Sequence, residues 1–244
     1  NQTEDADRGS PVMATPTKKQ REEIKDLETE IKDLEKKVKE RPKEFQSAFL
    51  EWKTKIGEGA LWSPLRLRSQ ETKAAELQQR ADGILTVKGE LPEKDTWVLT
   101  FDLPSGQSVT ALRIAALTKK PGGKWKDKNV ALRELTAELI IEGEKPRKLR
   151  LTNPRADFSQ KGWEVAKAID GSTKAGWAFS PMAAAPHVAV FDFDKSIAGG
   201  QLRLTLEQEY GQGLIFENFK VSVSRLPSKW LEAEVDAKGG LESV

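Results

Sequence analysis

The stretch TWVLTFDLPSGQSVTALRI, residues 96–114, decides the fold. Thr96-Trp-Val-Leu-Thr-Phe101 puts Trp97, Leu99 and Phe101 on one side and Thr96, Val98 and Thr100 on the other, the period of 2 that a β-strand imposes. Pro104-Ser-Gly106 breaks the run as a turn, and Val109-Thr-Ala-Leu-Arg-Ile114 resumes it. Working outward, Ile84 to Lys88, Val130 to Ile141, Lys148 to Leu151, Val188 to Phe193, Leu202 to Leu206 and Phe219 to Val223 read the same way. Asp82-Gly83, Pro121-Gly-Gly123, Asn153-Pro154, Asp170-Gly171 and Gly199-Gly200 supply turn signals between them. Many short strands with little helix between them predict a mainly β chain, an antiparallel jelly-roll β-sandwich over residues 58–225.

Ahead of the strands the period changes. Ile24, Leu27, Ile31, Leu34 and Val38 are spaced 3, 4, 3, 4, an a/d seam of a coiled-coil-like helix with Glu and Lys around it. Arg41-Pro42 interrupts the pattern, because proline cannot donate inside a helix, and Phe45, Phe49, Trp52 and Ile56 resume it. Residues 18–57 therefore read as an α-helical arm, and residues 1–17 as a flexible N-terminal segment of a larger, processed protein. Leu226 onward, with Ser228-Lys-Trp-Leu-Glu, reads as a C-terminal helical segment or linker over residues 226–244, placed to pair with the arm as an antiparallel stalk.

Composition removes whole classes of chemistry. The 244 residues exceed the roughly 150 of a typical domain, which suits one domain plus an appendage. Forty basic and 38 acidic residues leave a net charge of +2, too little for a general affinity for nucleic acid. No apolar run approaches the roughly 20 residues of a membrane span. With no Cys there is no thiol catalysis, disulfide or thiolate metal site, and His187 is the single histidine. Phosphate-binding glycine loops and the G-x-S-x-G nucleophile turn are absent. The balance leans towards binding rather than catalysis.

Ala168-Ile-Asp-Gly-Ser-Thr-Lys-Ala-Gly-Trp-Ala178 is the most distinctive string. It resembles the A-I-D-G…G-W turn of discoidin-like, galactose-binding-like domains, in which a tight Asp-Gly turn precedes a Trp that closes the sandwich edge. The wider order includes Trp62-Ser-Pro-Leu, Asp82-Gly-Ile-Leu, Asn129-Val-Ala-Leu-Arg-Glu134 and Ala156-Asp-Phe-Ser-Gln160, then Val188-Ala-Val-Phe and Leu202-Arg-Leu-Thr-Leu. That order resembles the β-domain of large planctomycete cytochrome-c-type multidomain proteins. Where that family carries a fuller Gly-Pro-Gly loop, this chain has Pro121-Gly-Gly-Lys-Trp-Lys-Asp-Lys-Asn129; where it carries His, this chain has Tyr210 before Gly211. The resemblance implies an exported, periplasmic or cell-surface, polysaccharide-associated module beside neighbouring domains of the parent chain, with no catalytic site.

Seven Trp against one Tyr is an aromatic balance suited to stacking on sugar faces. Trp97 and Trp177 read as packing residues, as do Trp52, Trp62 and Trp230 at the arm and its junctions. Trp125 is different, since five Lys and one Asp surround it between Lys119 and Lys128 and no apolar periodicity explains it. Trp125 with Lys124 and Lys126 is the leading ligand-binding candidate, for a glycan that carries sulfate or carboxylate. Trp163 and Tyr210 are next. Asp157 and Asp170, with Asp192 and Asp194, fall at expected strand ends and are candidate oxygen ligands of a structural calcium. His187 reads as a rim or core residue. The expected function is non-catalytic polysaccharide binding with no cofactor beyond that calcium; the alternative is a structural spacer that positions haem or catalytic domains.

A monomer is expected, with the seam of the arm satisfied within the chain. Sedimentation should show one chain per particle; a tight dimer dissociated by Leu34→Asp, with the β-domain still folded, would reverse that expectation.

Overall fold

The computed structural model describes residues 17–39, 62–117, 129–172 and 174–226. The chain divides into two units, Asn1–Gly59 and Ala60–Val244.

In the first unit, helix α1 spans Lys18–Lys39. Its start is written in Thr17-x-x-Gln20: the Gln20 N–H donates to Thr17 Oγ1 at 3.3 Å, and the Thr17 N–H donates to Gln20 Oε1 at 2.9 Å. This reciprocal capping satisfies backbone donors that have no partner within the helix. Along the expected stripe, Ile24, Leu27, Ile31 and Leu34 are between 46% and 54% exposed. The Val38 side chain, residues 40–61 and the expected second helix near Ser228 lie outside the described residues, so the expected antiparallel stalk does too.

The second unit is built from two antiparallel sheets. One runs β3 (Glu76–Gln79), β4 (Ile84–Lys88), β12 (Asn218–Ser224), β6 (Ser108–Leu117), β10 (His187–Ala198) and β9 (Leu151–Ala156), with β1 (Ser63–Pro64) also pairing with β12. The other runs β2 (Arg66–Glu71), β5 (Asp95–Asp102), β11 (Gln201–Gln208), β7 (Glu134–Ile140) and β8 (Arg147–Leu149). Alternation explains the second sheet: Leu202, Leu204 and Leu206 of β11 are buried beside Phe101, Leu99 and Trp97 of β5 and Leu139, Ala137 and Leu135 of β7. From the first sheet, Leu112, Ile114, Phe191, Phe219 and Val221 join the same core. Trp97 stacks on Phe219 with ring centroids 5.5 Å apart, one sheet against the other.

Five connections join strands at one end of this unit: residues 72–75, where Glu71 lies opposite Val98 and Glu76 opposite Lys88, residues 89–94 and 209–217, the link from β6 to β7 and the link from β9 to β10. The registers show it, because Asn218 lies opposite Thr86 and Leu117, His187 opposite Ala116, and Glu207 opposite Glu134.

Three sequence expectations need correction. The run Val130–Ile141 is a strand only from Glu134 to Ile140; residues 130–133 turn aside, and Leu132 forms a two-residue bridge with Trp177. Lys148–Leu151 is not one strand, because Leu149 ends β8 in one sheet and Leu151 begins β9 in the other. Asn153-Pro154, expected as a turn, lies inside β9, an edge strand that tolerates a residue with no N–H to donate. The short polar strands β1, β2 and β3 had no hydrophobic alternation to announce them.

The Leu132–Trp177 bridge needs its glycine. A Cβ on Gly176 would sit 2.0 Å from the Leu132 carbonyl oxygen, a backbone atom that cannot yield without breaking the bridge. Gly176→Ala should therefore cost about 3 kcal/mol or more, as overpacking against backbone does. Chemical denaturation followed by circular dichroism would measure it, and a wild-type midpoint would refute the close approach.

Candidate functional site

Trp177 organises the end of the sheets at which the five connections meet. Its ring is fully buried, its Nε1–H donates to the Phe158 carbonyl at 3.0 Å, and it meets Phe179 edge-on at 5.4 Å and Phe216 at 6.5 Å. Its expected role, closing the sandwich, is what it does. Neighbouring backbone bonds position the next loop: Gln160 N–H to the Ala178 carbonyl at 2.7 Å, Ala178 N–H to the Trp163 carbonyl at 3.3 Å, and Trp163 N–H to the Gln160 carbonyl at 2.8 Å.

Trp163 is half-buried and stands edge-on to Tyr210, ring centroids 5.2 Å apart and planes 86° apart. Tyr210 is 50% exposed. The structure thus brings together two sequence candidates that lie on different connections. The turn beneath Trp163 is held by Glu164, which accepts the Gly162 N–H at 2.7 Å and pairs with Lys167 at 2.9 Å. Those bonds, that of Lys167 first, hold the Glu164 carboxyl down at about 2. Beside Tyr210, Glu209 accepts from Lys73 Nζ at 2.8 Å and Thr96 Oγ1 at 2.7 Å, which lowers its pKa below the ordinary Glu value. Arg133 donates to the Glu209 carbonyl at 3.3 Å. An aromatic corner with anchored backbone and one exposed ring can stack on a ligand without first being ordered.

Trp125, Lys124 and Lys126 lie outside the described residues. The residues that bracket their connection, Leu117 and Asn129, are at this same end. Asn129 is fixed by two contacts, its Nδ2 donating to Gln160 Oε1 at 3.2 Å and its Oδ1 accepting the Phe179 N–H at 2.9 Å.

The carboxylates called as calcium ligands have protein partners. Asp157 Oδ1 accepts the Val188 N–H at 2.8 Å, while Oδ2 faces His187 Nδ1 at 3.0 Å. Asp170 caps its own turn, accepting the Ser172 N–H at 2.7 Å. Asp192 is not at a strand end: it is buried inside β10, held by Arg155 at 2.8 and 3.0 Å and by Asn153 at 2.9 Å. Among the described residues no three His, Asp or Glu side chains converge to hold a metal ion.

Sequence reading passed over Asp95. It is fully buried, and its carboxylate accepts the N–H groups of Lys73, Ala74, Ala75 and Thr96 at 2.8–3.2 Å. Burial alone would raise its pKa, but those backbone donors outweigh it and lower it. An acidic residue at the start of a strand gave no clue that four donors converge on it.

The chain is similar to CBM32-3 from a family 31 glycoside hydrolase of Clostridium perfringens, at 13% identity and a TM-score of 0.32, covering 64% of this chain and 91% of that one. No family model and no curated protein matches the chain. The two-sheet assignment rests on the strand pairing itself.

His187 yields a pH prediction. The ring is buried, 4.5 Å from the Phe179 ring, and its two nitrogens face two acceptors, Asp157 Oδ2 and the Met182 carbonyl at 2.8 Å. Only the doubly protonated imidazolium can donate to both. Burial opposes that charge, but the bonds to Asp157 and Met182 outweigh it and raise the pKa above 6.5. A raised folded-state pKa contributes stability that is complete below the unfolded value and is lost as pH rises through the folded one. The stability margin of wild type over His187→Gln should therefore be largest below about pH 6 and shrink in alkali. The single His gives an unambiguous proton resonance, whose midpoint should lie above 6.5; a midpoint at or below that value would overturn the assignment.

Proposed function

We propose that the β-unit is a non-catalytic carbohydrate-binding module, a jelly-roll of galactose-binding-like type, that targets a larger exported protein to a polysaccharide. The observation that carries this reading is the Trp163–Tyr210 corner, an anchored and half-exposed aromatic pair at the end of the sheets where the connection bearing Trp125 also begins and ends. A flat aromatic face meets the C–H side of a pyranose, and the Tyr hydroxyl and Trp N–H offer directional bonds to its hydroxyls. Lys124 and Lys126 would add attraction for sulfate or carboxylate groups on the polymer. Such shallow stacking gives weak single-site affinity, which neighbouring domains of the parent chain or a repeated glycan raise by multivalency. Asp157 and Asp170 remain the candidates for a structural calcium in this reading.

Affinity electrophoresis through gels with embedded polysaccharides tests the proposal. Wild-type protein should be retarded, and Tyr210→Ala or Trp125→Ala should lose that retardation by at least tenfold in apparent affinity. Tyr210 is half-exposed, so Tyr210→Ala should leave the melting temperature nearly unchanged, unlike loss of a core Trp, which costs roughly 3–5 kcal/mol. Retardation by an anionic polymer should fall with added salt, whereas retardation by a neutral glucan should not. If no polysaccharide retards the chain, the spacer reading takes its place, and the half-exposed apolar stripe of α1 becomes the surface to test.

A further inference from the structure

A groove opens on the outer face of the second sheet, beside β7. Strands β7 and β8 pair only from Ala137 to Leu139, opposite Leu149 to Arg147. The chain then crosses at Arg150 into β9 of the first sheet, so that Thr136 is paired on one side alone, with Thr205 of β11. The space left is a cavity of about 370 Å³, enough for a small organic ligand. Thr136 and Thr205 lie on its floor, on the face opposite to the core residues Leu135, Ala137, Leu204 and Leu206. Leu149, Leu151 and Ile169 form an apolar wall, and Lys148 and Arg150, both exposed, line the solvent side. None of these residues belongs to the Trp163–Tyr210 corner.

The polar groups of the groove are unpartnered. The Thr136 and Thr205 hydroxyls make no hydrogen bond among the described residues, and a hydroxyl can donate once and accept on two lone pairs. Lys148 and Arg150 have no ion-pair partner there either. Lys148 lies opposite Glu138, but that carboxylate is held by Arg203 at 2.8 and 2.6 Å. With Lys145 and Arg147, residues 145–150 carry four cations and no acid. The Asp194 N–H donates to the Arg150 carbonyl at 3.0 Å, which fixes the backbone where the chain crosses. Glu134, at the β7 end of the wall, offers nothing to a ligand: it is 7% exposed, its Oε2 is enclosed without a hydrogen-bond partner, and the Gly171 N–H donates to its carboxyl. Burial first, then the charges of Asp170 and Glu207, push it up to about 7 against that single bond. Free hydroxyls below and uncompensated cations at the rim call for a ligand that is both hydroxylated and anionic.

We propose that this groove binds an anionic sugar unit of an acidic polysaccharide, its hydroxyls on Thr136 and Thr205, its C–H face against the Leu149–Leu151–Ile169 wall and its carboxylate or sulfate at Lys148 and Arg150. The inference rests on the polysaccharide reading above, and adds to it a substrate class and a second contact away from the aromatic corner. The observed registers place these groups on one face: Thr136 lies directly opposite Thr205, and Lys148 directly opposite Glu138, two residues along β7 from Thr136 and roughly 7 Å away. A neutral glycan would leave both cations idle. A fatty acid would leave the hydroxyls without partners, and a free phosphate would leave the apolar wall bare.

Affinity electrophoresis at one fixed salt concentration tests this with two matched pairs of polymers, polygalacturonate against its methyl ester and dextran sulfate against dextran. The chain should bind at least one acidic polymer tenfold or more tightly than its neutral partner, and the pair that shows it tells carboxylate from sulfate. Lys148→Ala with Arg150→Ala should erase that preference. Lys145→Ala with Arg147→Ala removes the same charge from exposed positions outside the groove and should leave the preference within twofold of wild type. Thr136→Val, which takes away a hydroxyl at nearly constant volume, should weaken the acidic polymer at least fivefold, with the protein still folded by circular dichroism. Tyr210→Ala, acting at the corner, should weaken acidic and neutral polymers alike. Equal losses from the two double variants would mean a diffuse charge effect and overturn the groove, as would full binding by Thr136→Val. Retardation with no acidic preference overturns this inference alone, whereas retardation by no polymer overturns the polysaccharide reading and this inference with it.

Discussion

The loop-bearing end of the β-unit depends on one buried ring. Trp177 is inserted between the segment carrying Leu132 and the aromatic pair Phe179 and Phe216, and it is held from two directions, by a two-residue backbone bridge and by its indole N–H on Phe158. Because the bridge leaves no room for a side chain at Gly176, the two segments are locked at backbone contact. The turn that presents Trp163 is hydrogen-bonded to Ala178, the residue after the wedge. Phe179, one further on, packs on the His187 ring, which ties the return of the chain into β10 to the same point.

This arrangement stiffens surface loops without disulfides. Several segments at this end are fixed by polar groups that aim at backbone: Asp95 gathers the turn at residues 73–75, Asn129 links two loops through both ends of its amide, and Asp157 takes the N–H of Val188, the second residue of β10. Buried acceptors of this kind stabilise because several N–H groups converge on one carboxylate. Glu134 departs from that pattern. Its carboxyl has one donor where Asp95 has four, and the difference marks it as a group whose environment is incomplete within the described residues.

Strands β4, β5, β6, β10, β11 and β12 were legible in the sequence because each buries alternate side chains or a continuous apolar run. Strands β2 and β3 were not, since they are short polar edge strands of different sheets, paired with β5 and β4, and the link between them is carried by glutamines: Gln79 exchanges bonds with the Leu65 carbonyl and the Leu67 N–H, and Gln70 does the same with the carbonyl and N–H of Leu77. A side-chain amide that imitates a backbone ladder has no hydropathy signature. The switch at Arg150 was hidden for a related reason, as one strand-like run of four residues serves two sheets. Of the site, Trp163 and Tyr210 were legible as aromatics in loops, but their meeting is a product of topology. Glu134 was invisible, because its burial on an otherwise polar strand face arises from the turn at residues 170–171, distant in sequence.

The position of β12 sets the order in which this unit can be made. It is the last of the described strands, yet it lies in the interior of its sheet, between β4 and β6, and also carries β1. As the chain leaves the ribosome, β1, β4 and β6 must wait with open edges until residues 218–224 emerge, and only then can the first sheet zip together. Topologies that depend on such distant pairing fold slowly and expose unpaired edges meanwhile. During synthesis, therefore, the N-terminal half of the β-unit is the part a chaperone would have to hold.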